Sequence, residues 1–177
     1  GVYLLDRLQR RLKLGDHLRD SFGTSSKAIM TCGMALAVNP GPFSSIEETF
    51  NSYYLRDLYG TEIPVGSQDM SRFTSNIGKA DVCIDEFFSM RINACDGLVA
   101  WDTTTNGTYS DLDGMAEWAP NKDDDGLRVV KRAMATDRRG IPLMYRFYPG
   151  SLSDLATIDR LESDIVRYGR DDALFVM

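Results

Sequence analysis

Leu98-Val99-Ala100-Trp101-Asp102-Thr103-Thr104-Thr105 is a short apolar run that ends on a carboxylate followed by three hydroxyls. Read as a strand, it puts Leu98, Ala100 and Asp102 on one side, because side chains alternate with period two. An acid on an apolar face needs hydrogen bonds, a cation or a metal to offset its desolvation. Two readings follow for Asp102: a metal-binding acid, or an Asx-turn residue that closes the strand. The sequence before this run has helical spacing, and the sequence after it reads as pieces of an α/β unit.

Working backwards, Leu4, Leu5, Leu8 and Leu12 predict a helix over 2–14, and Ile29, Cys32 and Leu36 predict another over 26–38. Asn39-Pro40-Gly41-Pro42 ends that helix, since proline disfavours helix at the residue before it. Ser44-Ser45-Ile46-Glu47 reads as a capping box opening a helix through Ile46, Phe50, Tyr53 and Tyr54. Ser67 is expected to cap a helix with Met70, Phe73 and Ile77 inward, and Gly78 to follow its end. Asp81 opens the next helix, carrying Ile84, Phe87, Phe88 and Ile92. These last two helices have the spacing of a helix-turn-helix, but their excess of acidic over basic residues suits packing better than groove reading.

Working forwards, 106–126 is a long polar connection with a helical turn expected around 112–118. Strands are expected over 127–136 and 141–148, joined by a hairpin turn at Asp137-Arg138-Arg139-Gly140, with Ile141, Leu143, Tyr145 and Phe147 buried. Ser153 or Asp154 caps a helix with Leu155, Ile158, Leu161 and Ile165 inward, and 173–177 is a fourth strand. The helix supplies the crossover that a parallel fourth strand requires. Beside the first strand, that fourth strand would bring its carboxyl end next to Asp102, where ligand sites gather in parallel sheets. The fold class is α+β: a helical region over 1–95, a candidate DNA-binding part, then a strand-strand-strand-helix-strand unit over 96–177.

The chain has 177 residues, 43% hydrophobic and 26% charged, as globular proteins do. No apolar stretch is long enough for a membrane span, and the Arg-rich amphipathic N-terminus is unlike a signal peptide. Gly1 and the strand-like run at 173–177 read as the ends of a fragment. Three scattered cysteines fit a reducing, cytosolic setting, and one histidine, His17, is too isolated for a His-based metal site. Any metal would take oxygen ligands, as magnesium, manganese or calcium do. Asn121 to Gly126 imitates a calcium loop, but Arg132 stands where the bidentate glutamate belongs, so that reading fails. The net charge of −6 is not that of a strong nucleic-acid binder. Yet residues 1–27 hold six basic residues against three acidic ones, and Lys122, Arg128, Lys131, Arg132, Arg138 and Arg139 form a second basic group.

Trp101-Asp102-Thr103-Thr104-Thr105, Tyr109-Ser110, Asn121-Lys122-Asp123, Gly140-Ile141-Pro142-Leu143 and Tyr148-Pro149-Gly150-Ser151-Leu152-Ser153-Asp154, in this order, resemble the insertion-sequence DDE transposases. Leu127-Arg128-Val129 departs from the Leu-Pro-Gln frequent in that family. The resemblance covers about 98–177 and implies a partial ribonuclease-H-like catalytic domain. Asp102 falls at its first catalytic, metal-binding acid. The second acid follows the fourth strand and the third lies far downstream, so the truncated chain is expected to be inactive alone. Asp154 falls in a recurrent motif near the site. The resemblance implies two magnesium or manganese ions in the complete site, which activate and stabilise the attacking and leaving oxygens at phosphorus. It also implies double-stranded DNA as partner, no membrane, a homodimer for the full-length protein and a bacterial cytoplasmic, nucleoid-associated setting. Lys122, Arg128 and Lys131 are candidate phosphate contacts from charge and position. The alternatives are a ribonuclease-H-like nuclease and a non-catalytic DNA-binding or regulatory remnant of such an element.

Overall fold

A computed structural model of the chain describes residues 1–60, 63–110, 114–120 and 126–170, and the backbone of 174–176. Lys122 and the acidic stretch 121–125 lie outside the described residues. The class is α+β, and the chain divides into two compact units, Gly1–Phe87 and Phe88–Met177. The division falls within a helix, upstream of the 95/96 boundary expected from sequence. Among the described residues, no helix is long and apolar enough to cross a membrane.

The first unit is helical. Helices α1 (Val2–Arg11), α2 (Leu14–Phe22), α3 (Ser26–Val38), α4 (Ile46–Ser52), α5 (Leu55–Tyr59) and α6 (Ser67–Ile77) follow one another. The sequence reading missed α2, although Leu14, Leu18 and Phe22 recur at helical spacing. The expected single helix beyond Ile46 is two helices, because Tyr53 is extended (φ −115°, ψ 165°). The expected caps also fail. Phe43–Ser45 is a 3₁₀ turn in which the Ser45 hydroxyl donates to Pro42 O, and Ser67 is already helical behind Gly66. Gly78 is helical (φ −62°), not left-handed. Met30, Met34, Ile46, Phe50, Leu55 and Met70 form the core. Cys32 is buried there against the Met70 sulfur, and burial pushes its thiol up to about 11. All three cysteines are free.

The second unit is built on strands β1 (Leu98–Thr108), β2 (Arg128–Asp137), β3 (Pro142–Pro149) and β4 (Leu174–Val176), with α8 (Asp154–Arg167) between β3 and β4. Helix α7 (Asp81–Asn93) bridges the division. The sheet order is β3-β2-β1-β4; the first three strands are antiparallel, and β4 runs parallel to β1. The expected order and crossover are both observed. The strand β1 does not stop at Asp102 but runs six residues further, pairing Asn106 with Val130 and Gly107 with Val129. The helical turn expected around 112–118 is absent among the described residues, where Glu117 instead makes a bridge to Val129.

The face under α8 is buried. It carries Val99, Trp101, Ala133, Ala135, Met144 and Tyr148 from the sheet and Thr157, Leu161 and Ile165 from the helix. The expected facing of β3 holds only at Leu143, which is buried; Tyr145 and Phe147 on the same side are about half exposed, while Met144 and Tyr148 on the other side are buried. A bulge between Ala135 and Thr136 offsets the register, and Arg146 finds an acid on α8: its Nε donates to Asp164 Oδ2 at 2.9 Å. Leu155, expected inward, is exposed, and the buried Thr157 takes the inward position.

Candidate functional site

The segment Tyr148 to Asp154 folds as one tight turn into α8. Pro149 ends β3, and Gly150 N donates to Met115 O at 3.2 Å. A Cβ on Gly150 would lie 2.2 Å from Val129 O, so only glycine fits. Ser151 donates through both its N–H and its hydroxyl to Glu117 Oε2, which holds that carboxyl below the usual range. The Ser153 hydroxyl accepts from Ala156 N at 3.2 Å, so of the two expected caps Ser153 is the N-cap and Asp154 is not.

Asp154, the first residue of α8, accepts two hydrogen bonds at Oδ1, from Lys131 Nζ at 2.7 Å and Thr103 Oγ1 at 2.9 Å. Lys131 first and Thr103 second hold its carboxyl below the ordinary value. Lys131 Nζ also donates to Leu152 O at 2.6 Å. Its side chain is 12% exposed, whereas that of Asp154 is 70% exposed. One layer deeper, Trp101 Nε1 donates to Thr157 Oγ1 at 3.3 Å, and Thr157 Oγ1 donates to Asp154 O at 2.6 Å. A cleft of about 720 Å³ lies between Thr103–Thr105 of β1, the exposed Trp118 and the 150–154 turn. Among its described lining residues the charged ones are Lys131 and Asp154, which pair with each other.

Asp102 is on the other face. Its carboxylate is exposed, and Thr103 N donates to its Oδ1 at 2.9 Å. The expectation of a desolvated acid is therefore corrected: the buried residues are Val99 and Trp101, one step out of phase with Asp102. The bond goes to the next residue's N–H rather than two residues on, so the Asx turn expected to close the strand does not form, and β1 continues to Thr108. On the Asp102 face, alternation and register place Thr104, Met134 opposite Asp102, and Arg132 opposite Thr104. Arg128, at the start of β2 opposite Thr108, shares this face.

Of the expected site residues, the structure thus joins Lys131 to Asp154 and keeps both apart from Asp102. Lys131 is committed to Leu152 and Asp154 rather than presented to solvent, because a half-buried turn carbonyl and an acid claim its ammonium. Sequence reading missed Arg132 as a neighbour of Asp102, and Thr103 and Glu117 as the partners that hold the turn. Strand alternation from Arg128 would have found Arg132; nothing local marks Glu117. Among the described residues, no group of three or more His, Cys, Asp or Glu side chains stands where it could hold a metal. No family model, curated protein or solved structure matches this chain.

Proposed function

We propose that residues 96–177 are the opening part of a ribonuclease-H-like catalytic domain. The complete protein is then an insertion-sequence DDE transposase that cuts element-end DNA and joins it to a target. The observation that carries this reading is the parallel register of β4 on β1, Leu98 to Leu174 and Ala100 to Val176. It brings the carboxyl end of β4 within two residues of Asp102, and in the family resembled the second acid follows that strand. Asp102 also has the right availability: an exposed carboxylate on a strand held on both edges, with Arg128 and Arg132 on its face. Double-stranded DNA as partner and a homodimer of the full-length protein belong to the same reading.

A magnesium or manganese ion takes several oxygen donors. Asp102 has the right donor chemistry but offers one carboxylate, so the described residues do not complete an ion site. We therefore assign no catalytic step to these residues alone and expect no strand transfer from them; strand transfer by the 177-residue chain would overturn that expectation. The test of the reading uses the complete gene product, magnesium and labelled element-end DNA. Asp102→Asn is expected to lower cleavage on the order of 10³-fold, the scale of removing one preorganised charge-stabilising group. Asp154→Asn is expected to stay within about tenfold of the parent, the lower end of effects for supporting residues. Undiminished cleavage by Asp102→Asn would refute the assignment.

A further inference from the structure

Helix α1 leaves part of its apolar side uncovered. Val2 and Asp6 face the body of the helical unit, and Asp6 is held there by Arg10 Nε at 2.9 Å and Gln9 Nε2 at 3.1 Å. Leu4, Leu8 and Arg11, at steps of four and three residues, form an outer stripe with Arg7 beside them. All four are exposed, Leu4 to 70%. The Arg7 guanidinium lies over the exposed Tyr3 ring at 5.9 Å, and among the described residues Arg11 has no ion-pair partner. Helix α8 has an outer stripe of the opposite charge. Its buried positions are Thr157, Leu161 and Ile165. Leu155, Asp159, Glu162 and Val166, at steps of four, three and four residues, point away from these and are exposed, Leu155 to 70%. Among the described residues neither Asp159 nor Glu162 has an ion-pair partner. The cations of α8 are engaged elsewhere: Arg160 lies over the Tyr148 ring, and Arg167 pairs with Asp164.

We propose that the α1 stripe of one copy of this chain docks on the α8 stripe of a second copy. Each stripe combines two exposed apolar side chains with charges of one sign, so a neutral or like-charged face would leave those charges buried and unpaired. Against each other, Arg7 and Arg11 meet Asp159 and Glu162, and the leucines of α1 cover Leu155 or Val166 from water. Steps of four and three residues are those by which two helices lie side by side. At 1.5 Å per residue the α1 stripe is about 10 Å long and the α8 stripe about 17 Å, so the first fits wholly on the second. The contact uses different faces on the two copies, so it adds copies head to tail rather than closing a two-fold pair. It is therefore a separate contact from the homodimer of the transposase reading and does not rest on that reading. One helix against another buries less than about 1,200 Å², the class of weak and reversible interfaces.

The test is sedimentation velocity of the 177-residue chain over a concentration series, with circular dichroism confirming that each variant keeps its helices. The parent is expected to associate as its concentration rises, and less so at high salt, which screens exposed charges. Two variants reverse one stripe each: Arg7→Glu with Arg11→Glu, and Asp159→Lys with Glu162→Lys. Each is expected to lower the association constant about tenfold or more, because like charges then face each other. An equal mixture of the two places opposite charges at both contacts again and is expected to recover the association of the parent. A parent that stays monomeric at every concentration overturns the proposal, as does association that survives either reversal. Loss in both variants without recovery in the mixture also overturns it, since the two stripes would then not be each other's partners.

Discussion

The two faces of the β1-β2-β3 sheet use polar residues in opposite ways. Under α8, the polar groups are engaged with one another: Lys131 with Leu152 and Asp154, Thr157 with Trp101, Arg146 with Asp164 and, through Nη2, with the Tyr168 hydroxyl at 2.7 Å. On the other face, Asp102 and Arg132 are exposed, and the carboxylate accepts only its neighbour's N–H among the described hydrogen bonds. A network paired in this way next to a core fixes geometry, with the buried Tyr148 hydroxyl left without a hydrogen-bond partner among the described residues. An exposed charge costs little to keep and is available to a ligand. The difference teaches that the motif surrounding Asp154 is architecture, whereas the Asp102 carboxylate holds nothing in place beyond its neighbour's N–H among the described hydrogen bonds.

The largest expected disturbance of this division is at Gly150. A methyl group there meets Val129 O at 2.2 Å, and backbone must move to admit it. Gly150→Ala is expected to cost about 4 kcal/mol, at the upper end for point substitutions, read by denaturant unfolding. A cost under about 1 kcal/mol would mean that the 148–154 turn does not anchor the α8 face.

Next comes Asp137, at the hairpin end of β2. It is 3% exposed and accepts from Arg139 N, Ile141 N and the Arg139 guanidinium. Burial pushes its carboxyl up, but the hydrogen bonds from Ile141 and Arg139 together outweigh it and leave the pKa below the ordinary value. Asp137→Ala is expected to cost about 3 kcal/mol, since it orphans two backbone donors and removes the charge facing the buried Arg91. With a depressed folded pKa, the stability from Asp137 is complete above the unfolded aspartate value, near pH 4, and is lost as pH falls through the folded one. Asp137→Asn should therefore flatten the acid limb of stability below about pH 4; an unaltered limb would show that the carboxylate is not stabilised by the fold.

Much of this arrangement was legible before the structure. The three-strand meander, the hairpin at Asp137–Gly140, a cap at Ser153 or Asp154 and the parallel return of β4 all follow from period and turn chemistry. What could not be read was facing. Tyr145 and Phe147 look like core on hydropathy, but the bulge at Ala135/Thr136 and the Arg146–Asp164 pair turn the other side of β3 to the helix. The extent of β1 was hidden because Asn106-Gly107 has turn chemistry, and only pairing with Val129 and Val130 overrides it. Asp102 was singled out by its neighbours in sequence, and the structure overturns one ground for that choice: it is exposed rather than desolvated. Glu117 was invisible, because its role depends on Ser151, thirty-four residues away.

The most direct test of the division between the faces pairs two variants of the 177-residue chain in one denaturation experiment. Lys131→Met removes an ammonium held at 2.6 Å by Leu152 O and at 2.7 Å by Asp154, and is expected to cost about 1–2 kcal/mol after allowing for the exposure of Asp154. Asp102→Asn should change stability by less than about 0.5 kcal/mol, as for a surface site with no structural duty. A loss on Asp102→Asn equal to or above that of Lys131→Met would contradict the account and make Asp102 a structural residue of β1.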